Sequence, residues 1–169
     1  MIDDDDISCV LPTWAPDASS SLIECFRNIV DQAKMSSTIA KSFATVKARQ
    51  RPLREKAHLV KEINTNLRSW YENLSPDLKI AFPVDTKMIP RGLRAEHLMY
   101  LHLSYYGNLT AIHSILGHPW NINDARLSDQ DDTVVTSQIE ASSDALAEAS
   151  RSIILITRSI SLDAVAPVW

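Results

Sequence analysis

Leu98-Met99-Tyr100-Leu101-His102-Leu103-Ser104-Tyr105-Tyr106-Gly107-Asn108-Leu109-Thr110-Ala111-Ile112-His113-Ser114-Ile115-Leu116 is the stretch that decides the fold. Leu98, Leu101, Tyr105, Leu109, Ile112 and Leu116 recur in steps of three and four, the spacing of one helix face. The pattern predicts a helix from about Leu93 to Leu116. Gly117 is a fitting C-terminal stop, with Pro119 just beyond it.

Upstream, Leu59, Val60, Ile63, Leu67, Trp70 and Leu74 mark one face of another helix. It opens at Pro52, a residue suited to a first helical turn, and closes before Ser75-Pro76. Residues 75–91 hold Pro76, Pro83 and Pro90 and read as a connector pinned by Ile80, Phe82 and Met88. Earlier still, Leu22, Phe26, Ile29, Ala33, Ala40, Phe43 and Ala44 predict a long first helix, capped by Asp17 or Ser19 and running through Ser36-Ser37. Residues 1–16, with Pro12 and Pro16, read as an extended arm. Downstream, residues 118–133 are polar and read as a loop. The last helix spans about Val134 to Leu162, with Ile139, Leu146, Ile153, Thr157 and Ile160 in a seven-residue rhythm. Ala145, Ala147 and Ala149 suit close helix approach.

The reading is therefore all-α: one domain over residues 1–169, an antiparallel bundle of about four long helices with an extended N-terminal arm. Three glycines in 169 residues argue against many tight turns and against a glycine-rich phosphate loop. The net charge of -4 gives no global attraction to nucleic acid or to an anionic membrane. Cys9 and Cys25 form no C-x-x-C pair, so a structural zinc site is not expected, and free thiols are the default. The acidic start at Asp3 to Asp6 is not expected to act as a signal peptide, and no run of roughly 20 apolar residues occurs in these 169 residues. The expected setting is intracellular: cytoplasmic, or nuclear for a regulator.

Four short pieces carry a family resemblance. Ile2-Asp3-Asp4-Asp5-Asp6-Ile7 followed by Leu11-Pro12 is similar to an acidic segment and its "LP". Leu67, Trp70, Leu74, Pro76 and Leu78 match an "L..W...LP..L" stretch. Leu101-His102 with Tyr105-Tyr106 looks like an "LH..YY" helix, and Glu148-Ala149-Ser150-Arg151-Ser152-Ile153 like an "EAAR.I" helix. In this order they resemble the regulatory domain of fungal-specific transcription factors. The family's "HRP" stands here as Gly117-His118-Pro119, without the arginine, and the cysteine usual before the "AAR" helix is absent. The family also has helices before its acidic segment and a zinc binuclear-cluster DNA-binding domain. The expectation is a short product that keeps the second half of the fold, with an excised fragment as the alternative. Direct nucleic-acid binding is not expected.

Chemistry is sought first among the histidines. His102 and His113 lie eleven residues apart, roughly 16 Å along a helix. His97 and His102, like His113 and His118, are five apart and point in different directions, so metal binding is not expected. His102, Tyr106 and His113 do share one stripe with Leu109. Two readings follow from it. They are hydrogen-bond donors at the edge of an apolar pocket shaped by Trp70, Tyr105 and Leu109, or they are core residues satisfied by neighbouring helices. The basic run Lys41, Lys47, Arg49, Arg51, Arg54, Lys56 and Lys61 lacks interleaved aromatics and spans a helix end. It reads as a solvated face. No G-x-S-x-G occurs, and Cys25 falls on the apolar half of its helix.

These features, with the resemblance, give two expected functions. One is a stand-alone protein of fungal secondary metabolism that binds a hydrophobic small molecule. As an enzyme it would be a cofactor-free cyclase or isomerase, such as a Diels–Alderase, that preorganises its substrate. The other is a ligand-sensing regulatory or dimerisation module. Either is compatible with a homodimer.

Overall fold

The computed structural model describes residues 10–79, 81, 82, 84–117 and 133–158. Among these residues the regular structure is entirely helical. The helices are α1 (Ser20–Phe43), α2 (Val46–Arg49), α3 (Leu53–Glu72), α4 (Ala95–Gly117) and α5 (Thr133–Thr157), with short 3-10 turns at Pro76–Leu78 and Thr86–Met88.

The middle of the fold is α4. Ten of its side chains are buried, from Leu98 to Leu116, and they cover about half of its circumference, while Tyr100, Gly107 and Ala111 on the other side are exposed. An apolar face that wide can be covered by more than one helix. Accordingly α1, α3 and α5 all pack on it, α5 most closely. Three clusters fill the seams. Cys25, Leu74, Leu78 and Leu98 close one end. Ile39, Leu67, Tyr105, Leu109 and Ala149 fill the centre. Ala57, Val60, Leu116 and Val135 close the other end.

The first helix runs unbroken through Ser36-Ser37, with Ser19 as its cap: its Oγ accepts from the Leu22 N–H at 3.1 Å. Its inward face differs from the sequence reading. Leu22, Ile29 and Phe43 point in, but Phe26, Ala33, Ala40 and Ala44 are exposed, and Cys25, Gln32 and Ile39 are buried instead. The cause is a polar interior contact. The Asn108 Nδ2–H donates to Gln32 Oε1 at 2.9 Å. Ser36 Oγ lies 2.9 Å from Asn108 Oδ1 and 2.9 Å from the Gln32 carbonyl, which share its single proton. Gln32 is thus buried on a face that an apolar count assigns to solvent.

The short α2 was not legible in the sequence. The helix after it opens at Leu53, with Pro52 just outside as its cap residue, and ends at Glu72. In the connector, Phe82 meets His102 edge to face at 5.0 Å. Met88 is exposed rather than a pin, and buried Leu78 and Leu93 take that role. Ile80 lies outside the described residues.

The seven-residue rhythm of α5 is real, but its register is shifted by four. Val135, Ser142, Ala149 and Ile156 are buried, whereas Ile139, Leu146 and Ile153 are half-buried and Thr157 is exposed. Small residues win the seam because α4 comes close. Ala145 and Ala149 are buried there while Ala147 faces out. A Cβ added at Gly117 would collide with the Leu146 side chain. Ile160 and Leu162 fall outside the described residues, as do Cys9, His118 and Trp120. No described helix is long and apolar enough to cross a membrane.

Candidate functional site

The residues expected to act on a ligand are placed by α3 and α4. His102 is fully buried. Its Nε2–H donates to the Leu78 carbonyl at 2.8 Å, so its Nδ1 is the acceptor, 3.0 Å from the Tyr71 hydroxyl. Burial lowers its pKa, partly offset by the bond to Leu78.

His113 is arranged in the same way. Asn64 Oδ1 accepts from Arg68 Nε at 3.2 Å and from the His113 Nε2–H at 3.1 Å. His113 Nδ1 then accepts from the Ser142 hydroxyl at 3.0 Å. Burial, and then the Arg68 cation, push His113 down to about 4, with Glu148 opposing. Both imidazoles are neutral at pH 7 and spend both ring nitrogens inside the protein. His113 joins α3, α4 and α5, and Arg68 extends the chain to Glu148 at 2.7 Å.

The aromatic residues are packed rather than aligned on one cavity. Tyr105 is 2% exposed and stacks on Tyr71 with centroids 4.0 Å apart. Trp70 covers its other side at 6.3 Å, and Tyr106 meets it edge-on at 4.9 Å. Burial first, and then the neighbouring Tyr106, raise the Tyr71 pKa, and burial pushes Tyr105 up to about 12. Leu109 lies within the central cluster.

A groove of about 440 Å³ opens where α1 and α3 part. Met35 and Ile39 from α1 and Ile63, Leu67 and Trp70 from α3 supply its apolar surface, while Asp31, Lys34, Thr38 and Asn66 supply its polar one. Its size falls in the small-molecule range of roughly 300–1,000 Å³. Of the expected site residues, Trp70 lines it, and Tyr105 stands behind Trp70. His102, Tyr106, His113 and Leu109 do not line it. Trp70 Nε1 is buried and has no hydrogen-bond partner among the described residues. The α1 half of the groove was missed in the sequence because Met35 and Ile39 lie off the stripe drawn through Phe26, Ala33 and Ala40.

The basic run has a structural account. Arg51 Nη1 donates to the Ser42 carbonyl at 2.8 Å, near the end of α1, and pairs with Glu55 at 3.1 Å. Lys56 Nζ donates to the Arg49 carbonyl at 2.8 Å, at the end of α2. Positive side chains there satisfy carbonyls that the helix leaves open. Cys25 is buried, and its thiol is pushed up to about 11 by burial and by Glu24, so it is no nucleophile. Among the described residues no cluster of three or more His, Cys, Asp or Glu side chains is placed to hold a metal ion.

No family model matches the chain, and no curated protein or solved structure proved similar to it.

Proposed function

We propose that this protein binds a hydrophobic small molecule in the groove between α1 and α3, and works as a ligand-binding helical module rather than as an acid–base catalyst. The observation that carries the reading is the groove itself: buried Ile39 and Leu67 at its base, Trp70 at one end, and polar lips. The unpartnered indole N–H of Trp70 adds support, because a buried donor left unpaired costs about 1–3 kcal/mol. An acceptor on a ligand, reached by a small turn of the ring, would relieve that cost. The cyclase expectation relied on His102, Tyr106 and His113 as donors. Both histidines have spent their donors, which leaves the ligand-sensing alternative the better supported of the two.

The same reading takes the four long helices as alternating in direction. Asn64 meets His113 while Tyr71 meets His102, so α3 and α4 run opposite ways. His113 meets Ser142 while Leu109 clusters with Ala149, so α4 and α5 do the same.

Amide NMR with a set of small apolar compounds tests the site. Shifts confined to Met35, Ile39, Ile63, Leu67 and Trp70 support it. Saturable shifts elsewhere, or none with any compound, sink it.

Self-association is a second reading, favoured by exposed Phe26 and Trp14 beside an apolar furrow lined by Pro12, Ala15, Leu22 and Ile23. Sedimentation velocity checks it. A dimer that Phe26→Ser converts to monomer supports this face, and a wild-type monomer at high concentration removes it.

A further inference from the structure

Away from the groove, we propose that the corner where α1 passes through α2 into α3 is a docking surface for an anionic lipid bilayer, with Val46 as its apolar tip. Residues 41–61 hold seven Lys and Arg against one acid, Glu55. The net charge of -4 averages this local excess away, but a charged surface within a Debye length feels it. The geometry of α2 orders the corner. Ala48 is 1% exposed and fixes which side of this four-residue helix faces the core. Successive helical residues turn by about 100°. Val46 therefore points almost directly away from the core, and it is 75% exposed. Lys47 and Arg49 fall on its two flanks, and both are exposed. Contacts already described bring two more cations to the same corner. Lys56 reaches back from α3 to the Arg49 carbonyl, and Arg51 holds the Ser42 carbonyl near the end of α1. Those bonds leave the charge of each in place, although Glu55 offsets that of Arg51.

An aliphatic side chain standing out between cations suits a bilayer better than other polyanions. A bilayer presents anionic head groups with hydrocarbon beneath them, so it takes the charge and the valine together. Single-stranded nucleic acid is held largely by stacking on aromatics, and the one aromatic in residues 41–61, Phe43, packs into the protein's own core clusters. A nucleic-acid duplex offers Val46 nothing comparable to hydrocarbon. The chain between Gly117 and Thr133 leaves and rejoins the fold at this end, where Leu116 and Val135 cluster with Ala57 and Val60, and it carries four Asp against one Arg. Binding is therefore expected to be moderate and to need low ionic strength.

Co-sedimentation of the whole chain with vesicles tests the proposal, using phosphatidylcholine alone or mixed with phosphatidylserine. The protein is expected to pellet only with the mixed vesicles at low salt, and to be released by roughly 0.5 M NaCl, where screening is short-ranged. Lys47→Glu combined with Arg49→Glu should weaken binding by about tenfold or more. Val46→Trp should tighten it severalfold, because indole favours the interfacial zone, and no folding defect imitates a gain. No pelleting with the mixed vesicles, or pelleting that the double charge reversal leaves unchanged, overturns the proposal. A Val46→Trp variant that binds no better overturns it as well, because the tip then does not meet the bilayer. Tighter binding to a short DNA duplex than to the vesicles gives the surface to nucleic acid instead.

Discussion

The sharpest prediction concerns acid. His113 is 1% exposed and neutral, with its pKa lowered to about 4, whereas an unfolded histidine titrates near 6.5. Between those values the unfolded chain binds a proton that the folded chain refuses. Its neutral state therefore supports the fold fully above about pH 6.5, and that support drains away as pH falls toward 4. Linkage puts the loss from this one residue at about 2 kcal/mol by pH 5, against a typical total stability of about 5–15 kcal/mol. His102 is shifted in the same direction and adds to the loss. The perturbation is His113→Gln, whose amide can still donate to Asn64 but does not titrate. Urea unfolding at pH 7.5 and pH 5 reads the effect in both proteins. The variant starts less stable, but its decline between the two pH values should be smaller by about 2 kcal/mol. Parallel declines would refute the reasoning, because they would mean that His113 is protonated equally in the folded and unfolded states.

Four further outcomes are expected. Asn108→Ala should cost about 1–3 kcal/mol in urea unfolding, because it strands Gln32 Oε1 in the interior. Glu148→Gln should cost less than about 1 kcal/mol in the same assay, because the pair with Arg68 is more than a third exposed on both sides. Gly92→Ala should lower stability by about 1–2 kcal/mol or more. Gly92 has φ +91, and a Cβ there collides with the Ser19 side chain that caps α1. Cys25 should resist alkylation in the native protein and react on unfolding, as read by mass spectrometry of the peptide that contains it. Rapid labelling in native buffer would contradict its burial.

What the sequence revealed followed from how apolar each helix is. The stripe from Leu98 to Leu116 placed α4 within a residue or two, because all six positions are buried. Leu59 to Trp70 did nearly as well for α3. The first and last helices failed in face and register for a shared reason: their seams are built from polar or small residues. Gln32 and Ser36 on α1, and Ser142, Ala145 and Ala149 on α5, carry no hydrophobic signal, yet they lie where α4 comes closest. With the α1 face misplaced, Met35 and Ile39 were not read as groove residues. His102 and His113 could be read as pocket donors or as satisfied core residues, because the partners that decide between the two, Leu78, Asn64 and Ser142, are 24 to 49 residues away. No local spacing rule reports such a contact. Trp70 packs against the central core and also lines the groove, and it stands near the end of the stripe read for α3.

The partnerless side chains on the lips of the groove have an evolutionary consequence. Lys34, Thr38 and Asn66 are all exposed. The side chains of Lys34 and Asn66 have no partner among the described residues, and the Thr38 hydroxyl only bonds back to its own helix. Replacing an exposed residue of that kind usually changes stability by less than about 0.5 kcal/mol. A protein that sits just above its stability threshold can therefore try many lip combinations without unfolding. Recognition can drift quickly across related chains while α4 and its buried histidines hold still.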